Sequence, residues 1–85
     1  MVSEMAWVVG EWVKVVYDEE VFPGEVIAIV GDNSQVNCMT RIGRNWRWPE
    51  HARDILWYSR DKVLGKIKPV IPVGGSRDHY TCSEL

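Results

Sequence analysis

Two aromatic residues flank a short acidic segment in the first quarter of the chain. Tyr17 precedes the carboxylates of Asp18, Glu19 and Glu20, and Phe22 follows them after one valine. The face of an aromatic ring attracts a cation, and neighbouring carboxylates strengthen that attraction. Methyl groups on a cationic side chain weaken its hydrogen bonding, so ring faces suit it well. The pattern therefore predicts a pocket for a cationic side chain of a peptide, and the sharpest hypothesis for that side chain is a methylated lysine or arginine.

A second group of residues offers a different chemistry. In the second half of the chain, arginines are interleaved with aromatic rings, and the residues concerned are Arg41, Arg44, Arg47, Arg53, Trp46 and Trp48. Guanidinium groups contact phosphates, and indole rings stack on exposed bases. The alternative interpretation is therefore a DNA-binding or RNA-binding surface, or a plain protein–protein interaction module.

The distribution of charge also divides the chain into two parts. Residues 1–40 contain one lysine and seven acidic residues, a net charge of −6. Residues 41–68 contain five arginines, three lysines and three acidic residues, a net charge of +5, and the remainder contributes −1 to the total of −2. This division predicts two surfaces of opposite sign.

Catalysis and cofactor binding have no support in the sequence. It contains no glycine-rich phosphate loop, no nucleophile motif and no His/Cys cluster with the spacing of metal ligands. Cys38 and Cys82 lie far apart in the chain, and His51 and His79 stand in separate loop segments. We therefore expect a binding module that is not an enzyme and carries no metal or cofactor.

Short apolar runs between turn residues predict the elements that position these side chains. Runs rich in β-branched and aromatic residues predict an all-β domain with strands over residues 12–17, 21–29, 35–42, 46–48 and 54–58. Pro23 stands near the start of the second strand, and Gly24 predicts a bulge or a close backbone approach. Trp57 is expected in the core, and Ser59 is expected to cap a short helical turn.

The first hairpin resembles that of Tudor-like, SH3-like barrels of the royal family. The residues that carry the resemblance are Gly10, Val13, Val15, Tyr17, Asp18, Phe22, Pro23 and Val26, and it covers about residues 9–68. It implies a small five-stranded SH3-like barrel that reads cationic peptides through an aromatic cage. Carried over to this chain, the cage comprises Tyr17, Phe22 and either Trp46 or Trp48, with a polar wall from Asp18, Glu19 or Asn45. The chain departs from the family at residues 38–40, where such domains commonly place a tyrosine or phenylalanine.

The length of the chain and the positions of its proline and glycine residues predict the domain organisation. Eighty-five residues allow one domain at most. We expect an N-terminal extension over 1–8, the barrel over 9–68, and a Pro/Gly linker with a flexible tail over 69–85. No apolar run reaches the roughly 18 residues of a membrane helix, and the N-terminus lacks the features of a signal peptide. Two unpaired thiols suit a reducing compartment, so we expect a nuclear or cytoplasmic location. We also expect the chain to be a module of a larger protein, with a methylated histone tail as one candidate partner.

Overall fold

The computed structural model describes residues 7–50, 54–75 and 78–85. Within these ranges the chain forms strands and one 3₁₀ helix, Arg60–Lys62, so the prediction of an all-β domain is confirmed. The strands are β1 (Trp12–Tyr17), β2 (Glu20–Val30), β3 (Asn33–Cys38), β4 (Thr40–Ile42), β5 (Asn45–Arg47), β6 (Asp54–Tyr58), β7 (Val63–Lys66), β8 (Ile71–Pro72) and β9 (Tyr80–Thr81).

The larger sheet has five antiparallel strands in the order β6-β3-β2-β1-β7. Two-residue loops join β1 to β2 and β2 to β3, and in the second loop Gly31 has a φ of 60°. The 3₁₀ helix carries the chain from β6 to β7, and β7 pairs with β1. Among the described strands, β6 and β7 remain the two edges of this sheet.

The predicted 3₁₀ turn is present, although Ser59 does not cap it with its side chain. Ser59 occupies the N-cap position with extended backbone, and its hydroxyl donates to Asp61 Oδ1 at 2.6 Å. The turn is closed by the backbone N–H of Lys62, which donates to the carbonyl of Ser59 at 2.9 Å.

Gly24 lies where two strands approach too closely for a side chain. A Cβ at this position would stand 2.5 Å from Val36 Cγ1 and 2.8 Å from the carbonyl oxygen of Asn37. Pro23 is buried beside it, and its carbonyl accepts a hydrogen bond from the N–H of Met39 at 3.0 Å. The register between β2 and β3 begins at Gly24, so the missing N–H of Pro23 interrupts no residue pair of that ladder.

A smaller sheet, in the order β4-β5-β9-β8, includes the end of the chain. Trp46 pairs with Tyr80, the N–H of Val73 donates to the carbonyl of His79 at 2.8 Å, and Cys82 is buried. The expected flexible tail over 69–85 is thus corrected for its described residues, because β9 pairs with β5 and β8 pairs with β9. Two-residue strands are too short for periodicity to reveal them.

Two clusters of buried side chains form the core. The first is built from the larger sheet and comprises Trp7, Val13, Val15, Val26, Val36, Cys38, Tyr58 and Val63. The second, which we call the closed aromatic cluster, comprises Met39, Trp46, Ile67 and Cys82, with Trp12, Phe22, Trp48, Val70 and Tyr80 packed against it. Phe22 contacts both clusters and so links them.

Two expectations about the core are corrected. Trp7 falls in the segment expected to be an extension, yet it is buried, and its Nε1–H donates to Ser34 Oγ at 2.8 Å. Trp57, expected in the core, is 50% exposed, whereas its neighbour Tyr58 is buried. The partner strand explains this, because Ser34 is buried and pairs with Tyr58, while Trp57 pairs with Gln35 on the opposite face.

No helix in the described ranges has the length and apolar character needed to span a bilayer.

Candidate functional site

A cavity of about 610 Å³ opens between the end of β1, the turn that follows it, and β6. The residues that line it are Val16, Tyr17, Asp18, Glu19, Leu56, Trp57, Tyr58, Ser59 and Lys62. In the sheet order, β6 and β1 are three strands apart. A flat sheet would separate them by about 14 Å, at about 4.8 Å per strand. The sheet therefore curls, and its curvature brings the two strands to one cavity.

Tyr17 reaches this cavity because β1 extends past the end of the core. Val13 and Val15 point to the core face and are fully buried, and Tyr17 continues their alternation by one more step. Its pairing partner Glu20 is exposed, and Tyr17 itself is 53% exposed. The ring is thus held on a strand while much of its surface stays open to a ligand.

The acidic turn has an uncommon backbone conformation. Asp18 and Glu19 form the two-residue loop between β1 and β2, and their φ angles are 51° and 66°. Positive φ at both central residues defines the type I′ turn, which strongly prefers Asn-Gly or Gly-Gly. Residues with a Cβ bear a conformational cost there, and such positions are concentrated at ligand-binding sites. Both residues line the cavity, so the two residues that bring carboxylates to the cavity are also the two in a strained backbone conformation.

Trp57 is the residue of the cavity that sequence reasoning placed elsewhere. It lies on β6, an edge strand, on the face opposite to the buried Tyr58. Residues 54–58 are mostly apolar on both alternations, so the sequence offers no reliable indication of the face that is buried. The pairing of β6 with β3 decides it, since Ser34, Val36 and Cys38 on β3 are all buried.

Tyr58 lines the cavity and stays neutral at physiological pH. Its hydroxyl lies 3.4 Å from Cys38 Sγ in a buried hydrogen bond. Burial is the largest cause that raises the pKa of Tyr58, and the bond to Cys38 adds to it. Burial also raises the pKa of the Cys38 thiol to about 11. The negative charges among the lining residues are therefore those of Asp18 and Glu19, and Lys62 adds one positive charge to the lining.

The structure brings together only part of the predicted cage. Tyr17, Asp18 and Glu19 line the cavity, whereas Phe22 and Trp46 pack against each other with ring centroids 6.0 Å apart. Phe22 pairs with Val15, two residues inward from Tyr17, so it points into the core. Trp46 is only 2% exposed within the closed aromatic cluster.

Trp48 and Asn45 also lie away from the acidic turn. Trp48 packs against Trp12 in a tilted arrangement with ring centroids 5.7 Å apart, and Asn45 is half-buried in β5 of the smaller sheet. Trp48 and Pro49 border two further cavities, of about 470 and 230 Å³. Neither of these cavities contains a residue of the first hairpin turn.

Two of the predicted nucleic-acid contacts are engaged within the protein itself. The guanidinium of Arg41 lies 4.6 Å from the centroid of the Trp46 ring, and Arg47 forms an ion pair with Glu50 at 3.4 Å. Arg44 is exposed in the turn between β4 and β5, and Arg53 lies outside the described residues. The described arginines therefore do not form a stripe of freely exposed cations.

No group of three or more His, Cys, Asp or Glu side chains in the described part of the chain is arranged to hold a metal ion. Comparisons with protein-family models, with curated proteins and with solved structures find no match to this chain.

Proposed function

We propose that this chain is a non-catalytic module that binds a cationic side chain of a peptide in the cavity between the acidic turn and β6. One observation carries the proposal. Two half-exposed aromatic residues, Tyr17 and Trp57, and two carboxylates, Asp18 and Glu19, line one cavity of about 610 Å³. We call Tyr17, Trp57, Asp18 and Glu19 the acidic–aromatic site.

The chemistry of the site favours a methylated lysine or arginine over a neutral side chain. Ring faces attract a cation through their quadrupole, with about 0.5–1 kcal/mol for each exposed contact and more where water is excluded. Methylation enlarges the apolar surface of the cation and retains its charge, so the rings gain contact area without losing the electrostatic attraction. Asp18 and Glu19 add the opposite charge.

The strand connectivity supports the same proposal. β1, β2 and β3 form a meander, β6 pairs with β3 after the β4–β5 hairpin, and a 3₁₀ turn leads to β7, which returns to β1. This strand order is similar to that expected of the SH3-like, Tudor-like barrel that the first hairpin resembles. The proposed site differs from the cage that this resemblance implied. Trp57 of β6 takes the place that Phe22, Trp46 or Trp48 was expected to fill.

The partner that fits this chemistry is a peptide with a methylated basic residue, of which a methylated histone tail is the leading candidate. A nuclear location would follow from that partner. Nucleic acid remains the second candidate, and the observation in its favour is the exposure of Arg41 and Arg44 at the β4–β5 hairpin.

An NMR titration distinguishes the two candidates. Histone-tail peptides with trimethyl-lysine, with dimethyl-arginine and without modification are added to the labelled chain, followed by short DNA and RNA. We expect methylated peptides to shift the amides of Tyr17, Asp18 and Trp57 and the indole N–H of Trp57. Shifts by an oligonucleotide around Arg41 and Arg44, with none from any peptide, would replace this proposal by the nucleic-acid candidate.

Matched variants test whether the acidic–aromatic site causes the binding. Tyr17→Ala should remove methyl-peptide binding and leave the circular dichroism spectrum native. Ile71→Ala is the control, because Ile71 is 62% exposed but lies in β8 of the other sheet. Unchanged binding by Tyr17→Ala would contradict the proposal.

A further inference from the structure

We propose that the ligand docks as an extended strand along the free edge of β6, with its cationic side chain in the acidic–aromatic site. The inference rests on the proposed function and adds the conformation and register of the ligand. Among the described strands, β6 pairs only with β3, and none occupies its other edge.

The hydrogen-bond pattern identifies the backbone groups that are available on β6. Val30 and Asn33 flank a two-residue loop, which makes them a hydrogen-bonded pair, so alternate residues of β3 point to β2 from Asn33 onward. The bond from Met39 N–H to the Pro23 carbonyl fits this alternation. The intervening residues of β3, at positions 34, 36 and 38, therefore point to β6.

It follows that alternate residues of β6 direct their backbone groups away from the sheet. The residues that face positions 34, 36 and 38 are Tyr58, Leu56 and Asp54. Ile55 and Trp57 stand between them, so their N–H and C=O groups point outward at the edge. An extended peptide can pair with these groups, as in other cases of strand addition to a sheet edge.

The site lies beside this edge. Leu56, Trp57 and Tyr58 line the cavity, and their strand is the edge that the peptide would extend. A residue of the added strand that stands next to Leu56 or Tyr58 can direct its side chain into the cavity. Its neighbours at odd spacing would point to the opposite face of the sheet, and the cavity is open to both faces at this edge, since Trp57 lines it together with Leu56 and Tyr58.

Charge and apolar exposure select a basic, extended peptide as the occupant. Asp18 and Glu19 lie at one end of β6, and the exposed Asp54 begins its other end. Leu56 and Trp57 expose apolar surface between them. Asp54 shares a face with Leu56 and Tyr58, so a second Lys or Arg should stand two or four residues from the cation that enters the cavity.

The test measures the affinity of this chain for two kinds of probe. The first is an oriented library of nonapeptides that all have trimethyl-lysine at the central position, and the second is free trimethyl-lysine amide. The best peptides should bind at least tenfold more tightly than the amide. Equal affinities would overturn strand addition while leaving cation binding intact. Absence of binding by both probes would overturn the proposed function as well.

Two substitutions of Ile55 isolate the contribution of one backbone hydrogen bond to peptide binding. Ile55→Pro removes one outward N–H, and Ile55→Ala keeps that N–H and removes the side chain as the matched control. We expect Ile55→Pro to weaken peptide binding by about two- to tenfold, the range for one hydrogen bond, with no effect on the free amide. If the proline variant does not fold, N-methylation of the peptide backbone beside the trimethyl-lysine gives the same test.

Hydrogen exchange gives a direct readout that cation binding alone cannot produce. In the free protein, the amides of Leu56 and Tyr58 should exchange more slowly than those of Ile55 and Trp57. Peptide binding should protect Ile55 and Trp57, whereas the free amide should protect neither. Saturating peptide with no added protection at Ile55 and Trp57 would overturn the inference.

Discussion

The closed aromatic cluster and the acidic–aromatic site use the same kinds of residue for opposite purposes. In the cluster, Trp46 has Phe22 at its edge, Arg41 over one face and neighbouring buried apolar side chains. In the site, Tyr17 and Trp57 are each about half exposed and face a cavity. The types of aromatic residue alone do not distinguish the two regions. The difference is that neighbouring strands cover the rings of the cluster and leave the rings of the site partly exposed.

The positions of the carboxylates differ in the same way. Asp18 and Glu19 stand in a strained turn and line the cavity. Glu50, near the closed aromatic cluster, pairs with Arg47 instead. A cation from a ligand therefore meets carboxylates at the first region and an existing ion pair at the second.

Removal of Trp46 is expected to give the largest effect. Trp46→Ala should lower the free energy of unfolding by about 3–5 kcal/mol, the usual cost of deleting a buried tryptophan. Chemical denaturation measures this value. A loss below about 1 kcal/mol would show that the cluster is not closed and that its rings are available for binding.

Removal of residues 79–85 should give the next largest effect. This truncation deletes β9, the buried Cys82 and the carboxylate of Glu84 that accepts a bond from the Lys68 N–H at 2.6 Å. We expect a loss of about 2–4 kcal/mol from the exposed apolar surface, visible as a lower melting temperature. Removal of Leu85 alone is the control, and an unchanged melting temperature after the full truncation would restore the expectation of a free tail.

Trp57→Ala should affect ligand binding more than stability. The side chain is half exposed, so the free energy of unfolding should change by less than about 1 kcal/mol. Loss of one ring contact should weaken methyl-peptide binding about two- to fivefold. Calorimetric titration and denaturation of the same sample measure both quantities. A stability loss as large as that of Trp46→Ala would remove the distinction between the two regions.

Glu19→Gly separates backbone strain from charge. Glycine adopts a φ of 66° without steric cost, so the variant should be more stable by about 0.5–1 kcal/mol. It should also bind the methyl-peptide more weakly, because it lacks a carboxylate. Glu19→Gln is the control that keeps the strain and removes the charge. If both variants bind like the wild type, Glu19 has no part in recognition.

The smallest expected effect is a change in the pH dependence of stability caused by Glu11, which lies at the end of β1 opposite to the cavity. Its carboxylate accepts from the Val8 N–H at 2.8 Å and pairs with Lys66 at 3.1 Å, and these contacts lower its pKa from 4.5. A lowered pKa in the folded state gives stability that is present above the ordinary value and is lost as the pH falls through the lowered value. Wild type should therefore lose more stability than Glu11→Gln on acidification from pH 7. Parallel losses in the two proteins would contradict this assignment.

Much of the fold was predictable because its signals are local. Alternation in residues 12–17 and the turn residues at 18–20 and 31–34 predict the hairpins that the structure contains. The same features predicted that Tyr17, Asp18 and Glu19 stand together. Phe22 was misplaced because strand alternation shows only that it shares a face with Tyr17. The register places it opposite Val15, two positions farther into the core.

By itself, the sequence determined the all-β class, the first hairpin and the presence of carboxylates beside an aromatic ring. These features depend on neighbours within a few residues. Only the tertiary structure decided that Trp57 joins Tyr17 and that Trp46 is buried. Residues 17 and 57 line one cavity because the sheet curls, and the chain end covers Trp46 because β9 pairs with β5. Both arrangements bring together residues more than 30 positions apart, and no local pattern contains the curvature or the pairing that makes them.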